Sequence, residues 1–344
     1  MNRKERRQKA KLEHRRGDGR DIDALFEKAN GHLRDGRMDR AENFLRRVVT
    51  RRPDHADAFH LLGLAIYEQG RPEEAAEAIQ SAIAADDGRP VFHSNLAVVL
   101  NLLERPAEAE SACRRAIELH PLYAEAQNNL AVALKLQGRL DEAADACAKA
   151  LEQDPEYVEA YVNLGNVRRH QGQMDESAAA YREAISRNPQ QYMAHANLGA
   201  ALRELGDLEG AAGALNTAVD IRPDYAEAHN NLGNVLIAAG DAAGAEASYR
   251  RALYLDSEHP LARVNLGAVL FSEGALDDAE AAYRRALEID PGFAEAENGL
   301  GVVLQAAGRL DEAKAAYRRA TALKPDYQEA QENLAALDDV DETA

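Results

Sequence analysis

The sequence predicts an all-α protein built as a linear stack of about nine helix pairs, and three observations predict it. Strings such as QNNLAVALKLQGRLDEA, HNNLGNVLIAAGDAAGA and ENGLGVVLQAAGRLDEA recur at multiples of 34 residues, so one supersecondary unit is repeated. Each unit holds two stretches of about 13 residues whose apolar positions are spaced near 3.6, which makes it a pair of helices. Ala, Leu, Glu and Arg abound, whereas aromatic residues are 5% of the 344 and Trp is absent, so an all-β architecture is unfavourable.

Counted from Ile22, nine units run without insertion to Tyr327: 22–55, 56–89, 90–123, 124–157, 158–191, 192–225, 226–259, 260–293 and 294–327. Within each unit the first helix buries position 7, which is Lys28 in the first repeat and Leu62, Leu96 and their equivalents in the rest. Position 8 is always Ala or Gly, and position 20 is Ala except for Ser177, so the two helices of a pair can approach closely. Gly at position 15 (Gly36, Gly70, Gly138 and five others) supplies a left-handed residue that ends the first helix. Acidic residues such as Asp141, Asp175, Asp277 and Asp311 follow, placed to cap the second helix or to complement its dipole. Proline at position 32, in seven of the nine repeats, stops that second helix. Repeat three breaks two of these rules, with Glu104 in place of the turn glycine and Asp87-Gly88 at the preceding junction, and is the expected weak point.

In-phase Leu, small residue, Ala and Pro over 22–337 resemble the tetratricopeptide repeat. The resemblance implies a right-handed α-solenoid whose first helices line a concave groove, and a protein-binding role. Residues 328–337 repeat the first half-unit (Ala330, Leu334, Leu337) and read as a solitary capping helix, followed by an acidic tail over 338–344. Lys28 and His32 make the first repeat polar at core positions, as the other cap should be. Array and caps together leave no expected room for a catalytic domain.

The net charge of −18 is unevenly spread. Residues 1–20 hold nine Lys or Arg against three Asp or Glu, a local charge of +6, so the remainder carries −24. So acidic a body repels phosphate backbones, and no nucleic acid is expected as partner. The basic arm over 1–21 is expected to be disordered or loosely helical, able to touch an acidic protein, including a second copy. Without an apolar core behind it, the arm is no secretory signal. No apolar run approaches the roughly 18 residues of a membrane span, which makes the cytoplasm the expected location.

On the first helix, positions 2, 5, 6, 9, 12 and 13 face away from the buried stripe. Position 6 is Asn in six consecutive repeats: Asn95, Asn129, Asn163, Asn197, Asn231 and Asn265. An amide offers a donor and an acceptor, so a ladder of them can clasp the backbone of an extended peptide whatever its side chains. The same amide can instead tighten the packing between repeats, and one group can do both. A cationic strip at position 12, Lys135, Arg169 and Arg203, joined by Arg168 at position 11, would favour acidic ligand side chains. With rungs about 10 Å apart and an extended chain rising about 3.3 Å per residue, six rungs match about 15 ligand residues.

The ladder resembles the tetratricopeptide superhelix of O-linked N-acetylglucosamine transferases, where an asparagine ladder grips substrate backbone; the resemblance covers the array and carries no chemistry. The chaperone-tail clamp of other family members needs Lys at position 5, where this chain has Phe26, His60, Ser94, Asn128 and other uncharged residues.

Four other constellations are expected to be structural. His93, His195 and His229 share position 4, too far apart for one metal ion, and should pack near the turns. Cys113 and Cys147 occupy a buried seam at position 24, a repeat apart and beyond disulfide reach. The doublets Arg114–Arg115, Arg250–Arg251, Arg284–Arg285 and Arg318–Arg319 lie on the outer face of second helices. Every Gly is accounted for by a cap or a close contact, and no phosphate-cradling motif occurs. No enzyme and no cofactor is expected. The sequence therefore reads as a non-catalytic interaction scaffold, with two alternatives: an accessory subunit delivering peptides to a separately encoded glycosyltransferase, or a structural protein that assembles through its caps or arm.

Overall fold

The structure is a computed structural model that describes residues 21–343, and side chains as far as Asp338. The basic arm, except for Asp21, lies outside the described residues. Two compact units are distinguished, one up to Gly172 and one from Gln173 onward. The first contains α1 (21–34), α2 (Met38–Arg51), α3 (Ala56–Tyr67), α4 (Pro72–Ala85), α5 (Pro90–Leu102), α6 (Pro106–Leu119), α7 (Ala124–Leu136), α8 (Leu140–Gln153) and α9 (Val158–His170). The second contains α10 (Met174–Arg187), α11 (Tyr192–Glu204), α12 (Leu208–Ile221), α13 (Ala226–Ala238), α14 (Ala242–Leu255), α15 (Pro260–Ser272), α16 (Leu276–Ile289), α17 (Ala294–Ala306), α18 (Leu310–Leu323) and α19 (Gln328–Thr343). All described regular structure is helical, in the predicted pairs. Within each unit a helix packs on its pair partner and then on the next pair, as α3 does on α4 and α4 on α5, so each unit is a one-dimensional stack.

Each pair is closed at its turn by a left-handed residue. Eight turn glycines have φ between +70° and +84°, a region that strains residues with a Cβ. Glu104 adopts the same turn at φ +54°. At the junction before that repeat, Gly88 donates to Asp86 Oδ1 (3.0 Å), and Asp87 pairs with Arg115. Hydrogen exchange should find residues 85–106 among the fastest in the first unit, and Glu104→Gly should raise stability by about 0.5–1 kcal/mol. Strong protection there would contradict it.

The acidic residues expected to cap or charge-complement second helices do the latter: Asp141, Asp175, Asp277 and Asp311 sit in the first turn, where the dipole favours them. True side-chain caps come two positions earlier, where Asp207 accepts from Gly210 N and Asp241 from Gly244 N, both at 2.9 Å. The last helix continues to Thr343 rather than ending at 337, and Lys314 holds Asp338 at 3.2 Å on the turn beyond Leu337.

The core runs along the seam between positions 8 and 24. Where position 24 is Tyr, position 8 is Gly: a Cβ on Gly233 would lie 2.4 Å from Tyr249, and one on Gly301 2.5 Å from Tyr317. Where position 24 is the small Cys113 or Cys147, position 8 is Ala97 or Ala131, and all four are fully buried. Burial pushes both thiols up to about 12, so they are inert core groups.

Neighbouring repeats are also tied by a carboxylate clamp at position 21. Glu42 accepts from Arg71 (2.9 Å), Gln69 (2.8 Å) and Arg46 (2.8 Å). Glu110 accepts from Arg139 (2.7 Å), Gln137 (2.9 Å) and Arg114 (2.7 Å), and Glu280 from Arg309 (2.7 Å) and Arg284 (2.6 Å). Burial opposes ionisation of Glu42, but the donors from Arg71, Gln69 and Arg46 outweigh it and lower its pKa from 4.5 to about 2. Glu110 is lowered by the same balance. A carboxylate depressed in the folded state contributes its stability above the unfolded pKa and loses it as pH falls toward the folded one. Acid unfolding should therefore steepen below about pH 4.5. Glu42→Gln should cost about 1–2 kcal/mol at pH 7 and flatten that slope, both measurable by denaturant titration.

Candidate functional site

Within each unit the first helices of successive repeats touch one another: α5 with α7 and α7 with α9, then α11 with α13, α13 with α15 and α15 with α17. Among the described residues no comparable contact links successive second helices, so the first helices crowd the inner side. The asparagines stand on that side, and all six are half-buried.

Four of the six, Asn95, Asn129, Asn163 and Asn265, turn their amide nitrogens toward position 5 of the preceding repeat. Asn129 Nδ2 donates to Ser94 Oγ at 3.0 Å, and Asn163 Nδ2 to Asn128 Oδ1 at 2.8 Å. Asn265 Nδ2 donates to Asn230 Oδ1 at 3.0 Å and Asn234 Oδ1 at 3.1 Å, and Asn333 repeats the bond to Asn298 at 3.0 Å. Asn95 Nδ2 lies 2.9 Å from His60 Nε2, whose pKa burial lowers, keeping the ring neutral and able to accept. Asn231 differs, bonding Glu227 on its own helix at 3.3 Å. One N–H is therefore committed to the stack at several rungs, a packing role that position-6 periodicity alone left open.

The cations divide. Arg203 lies 3.8 Å from Glu204. Arg168 donates to Gln171 at 3.0 Å, one turn along its own helix. Lys135 and Arg169 stand together in the first unit; desolvation and then the neighbouring Arg169 charge lower the Lys135 pKa, and Arg169 Nε is buried without a hydrogen-bond partner. Each of the three strip cations lies in the last turn of its helix, where the dipole favours positive charge.

An open concavity of about 520 Å³ lies on α5, α7 and α9; it is lined by the apolar Val98, Leu102, Val132 and Leu136, by Asn101, Asn128, Asn129, Tyr157 and Asn163, and by the Glu159 carboxylate. Leu102 is 58% and Leu136 46% exposed, unusual for large aliphatic side chains. Sequence reading missed these four. The signal was present: a valine at position 9 with a leucine at position 13, on the face away from the core, occurs only in repeats three and four.

The position-4 histidines and the arginine doublets make packing contacts, whereas Gly31 and Gly213 mark neither a left-handed turn nor a close approach, against the expectation for every Gly. His93 Nε2 bonds Asp87 O (3.1 Å), His195 bonds Pro189 O (3.0 Å) and His229 bonds Pro223 O (3.1 Å), so position 4 ties the preceding junction. Seven Arg of the four doublets are ion-paired: Arg114 to Glu110, Arg115 to Asp87, Arg250 to Glu246, Arg284 to Glu280, Arg285 to Glu288, Arg318 to Asp338 and Arg319 to Glu297. Among the described residues no helix is long and apolar enough to cross a membrane.

No curated protein matches the sequence. Among solved structures, a chain of the APC/C hetero-tetramer Cut9-Hcn1 is similar, with 17% identity, TM-score 0.66 and 88% of this chain covered. The match spans 59% of that chain. Pseudomonas aeruginosa pilF is similar at 22% identity and TM-score 0.55, over 62% of this chain and 97% of its own. Both likenesses are of fold. Tetratricopeptide repeat profiles match residues 26–90, 102–158 and 230–292, others match 134–202 and 270–337, and one for the TPR repeat matches 199–240. With more than half the chain matched in the phase that the glycine turns and the 8/24 seam set, the protein belongs to the tetratricopeptide repeat family.

Proposed function

We propose that the protein is a non-catalytic, cytoplasmic interaction scaffold, each unit of which holds an extended peptide segment against its first helices through asparagine amides. Asn95, Asn129 and Asn163 serve the first unit; Asn197, Asn231 and Asn265 serve the second. The observation that carries this is the recurrence of a half-buried amide at one position on the inner side of successive helices. With one N–H used inside the stack, the rung meets a ligand chiefly through its carbonyl oxygen, accepting from peptide N–H groups. Such a grip reads backbone and tolerates many side chains, while Lys135, Arg169 and Arg203 bias it toward acidic ones and add a salt dependence.

The test presents the full chain with phage-displayed random peptides of about 15 residues. Diverse sequences with an acidic bias should be retained, and Asn163→Ala should weaken all of them by roughly 2- to 10-fold. Retention that is indifferent to that substitution would count against the grip.

A further inference from the structure

We infer that the concavity of repeats three and four is an anchor site for one bulky aliphatic or aromatic side chain of an extended partner segment that carries an acidic residue two or three positions away. This deepens the proposed function and rests on it for the course of the ligand backbone. The apolar part of the site is Val98, Leu102, Val132 and Leu136, two residues from each of α5 and α7, opening into about 520 Å³. All four lie on the face turned away from the core; Val98 and Val132 are half-buried, whereas Leu102 and Leu136 are left to solvent by the stack. Leu102 and Leu136 remain 58% and 46% exposed; Ile237 and Leu261 are exposed on first helices too, but with Asn234 and Ala268 at position 9 rather than a valine. Burial by a ligand would remove that apolar surface from water.

Glu159 in the lining keeps an acidic group out of the hollow itself, and the nearby cations select what flanks the anchor. Lys135 is the neighbour of Leu136 and lies one helical turn from Val132, and Arg169 stands beside it on α9. Most arginines of the convex side hold a carboxylate, as the clamps at Glu42, Glu110 and Glu280 do. These two cations face each other instead, and the Arg169 Nε is buried without a partner. The helix dipole accounts for positive charge at an exposed helix end; it does not account for two neighbouring cations on α7 and α9, helices that line the apolar hollow. A ligand carboxylate does. An extended chain advances about 3.3 Å per residue, so two or three residues cover the one-helix step from the hollow to the cations.

The experiment uses the full chain and the same random peptide display. Enriched peptides should share one Leu, Ile, Met or Phe with Asp or Glu two or three positions from it. Leu102→Ser with Leu136→Ser changes exposed side chains, so the fold should hold by circular dichroism; the apolar preference should vanish and affinity for the best synthetic peptide should fall about tenfold. Lys135→Gln with Arg169→Gln should abolish the acidic preference and its salt dependence while keeping the apolar one. Enrichment without an apolar residue, or affinity unchanged by the double Ser variant, overturns the anchor site. Loss in the Ser variant with none in Asn163→Ala supports the anchor and overturns the backbone ladder. A library from which nothing is enriched overturns both.

Discussion

Replacing Asn129, Asn163, Asn197 and Asn231 together by alanine is expected to weaken peptide binding by about 30-fold to 20,000-fold. The range follows from four hydrogen bonds at roughly 0.5–1.5 kcal/mol each. Single replacements should be mild and their effects should accumulate steeply, the mark of a repeated weak contact rather than a hot spot. Stability will fall as well, because Asn129 and Asn163 also bond Ser94 and Asn128 of the preceding repeat. Ser94→Ala separates the two roles. It removes the internal acceptor of Asn129 and leaves the rung amide in place, so it should lower the thermal midpoint with affinity retained. Full affinity in a folded quadruple variant would leave the asparagines with packing alone.

Gly301→Ala is expected to cost about 1–3 kcal/mol, the range for overpacking a tight core. The new Cβ would stand 2.5 Å from the ring of Tyr317, which is fully buried and bonds Gln305 through its hydroxyl at 2.8 Å. The ring has no room to retreat. The chain itself supplies the compensating partner, since repeats three and four place Ala97 over Cys113 and Ala131 over Cys147. Tyr317→Cys alone should cost about 3–5 kcal/mol through the cavity it opens. In the double variant part of that hollow takes up the Cβ, so the two losses should fall short of their sum by at least about 1 kcal/mol. Denaturant unfolding of the four chains measures this, and strict additivity would show that the 8/24 seam is not a coupled pair.

The family, the phase of the repeats and the turn positions were legible in the sequence because each rests on local physics. A turn glycine at φ near +75° is demanded within one unit, and Glu104 was recognisable as the exception before its φ of +54° was seen. The seam pairs were equally local, since positions 8 and 24 meet within one helix pair. The site was legible in part: the recurrence of Asn at position 6 marked the inner side and Lys135 and Arg169 marked its charge, whereas the extent of α19, fixed partly by Lys314 on α18, was not marked at all. What only the tertiary structure decided is which atoms those side chains have left to use. The bond from Asn163 to Asn128 spans 35 residues, one repeat and one position, and depends on how two first helices are staggered. The isolation of Arg169 depends on which carboxylates come within reach, and the apolar hollow exists only once α5 and α7 lie side by side. Periodicity names the residues on a face, but the distances across that face come from packing between units that the chain separates by a full repeat.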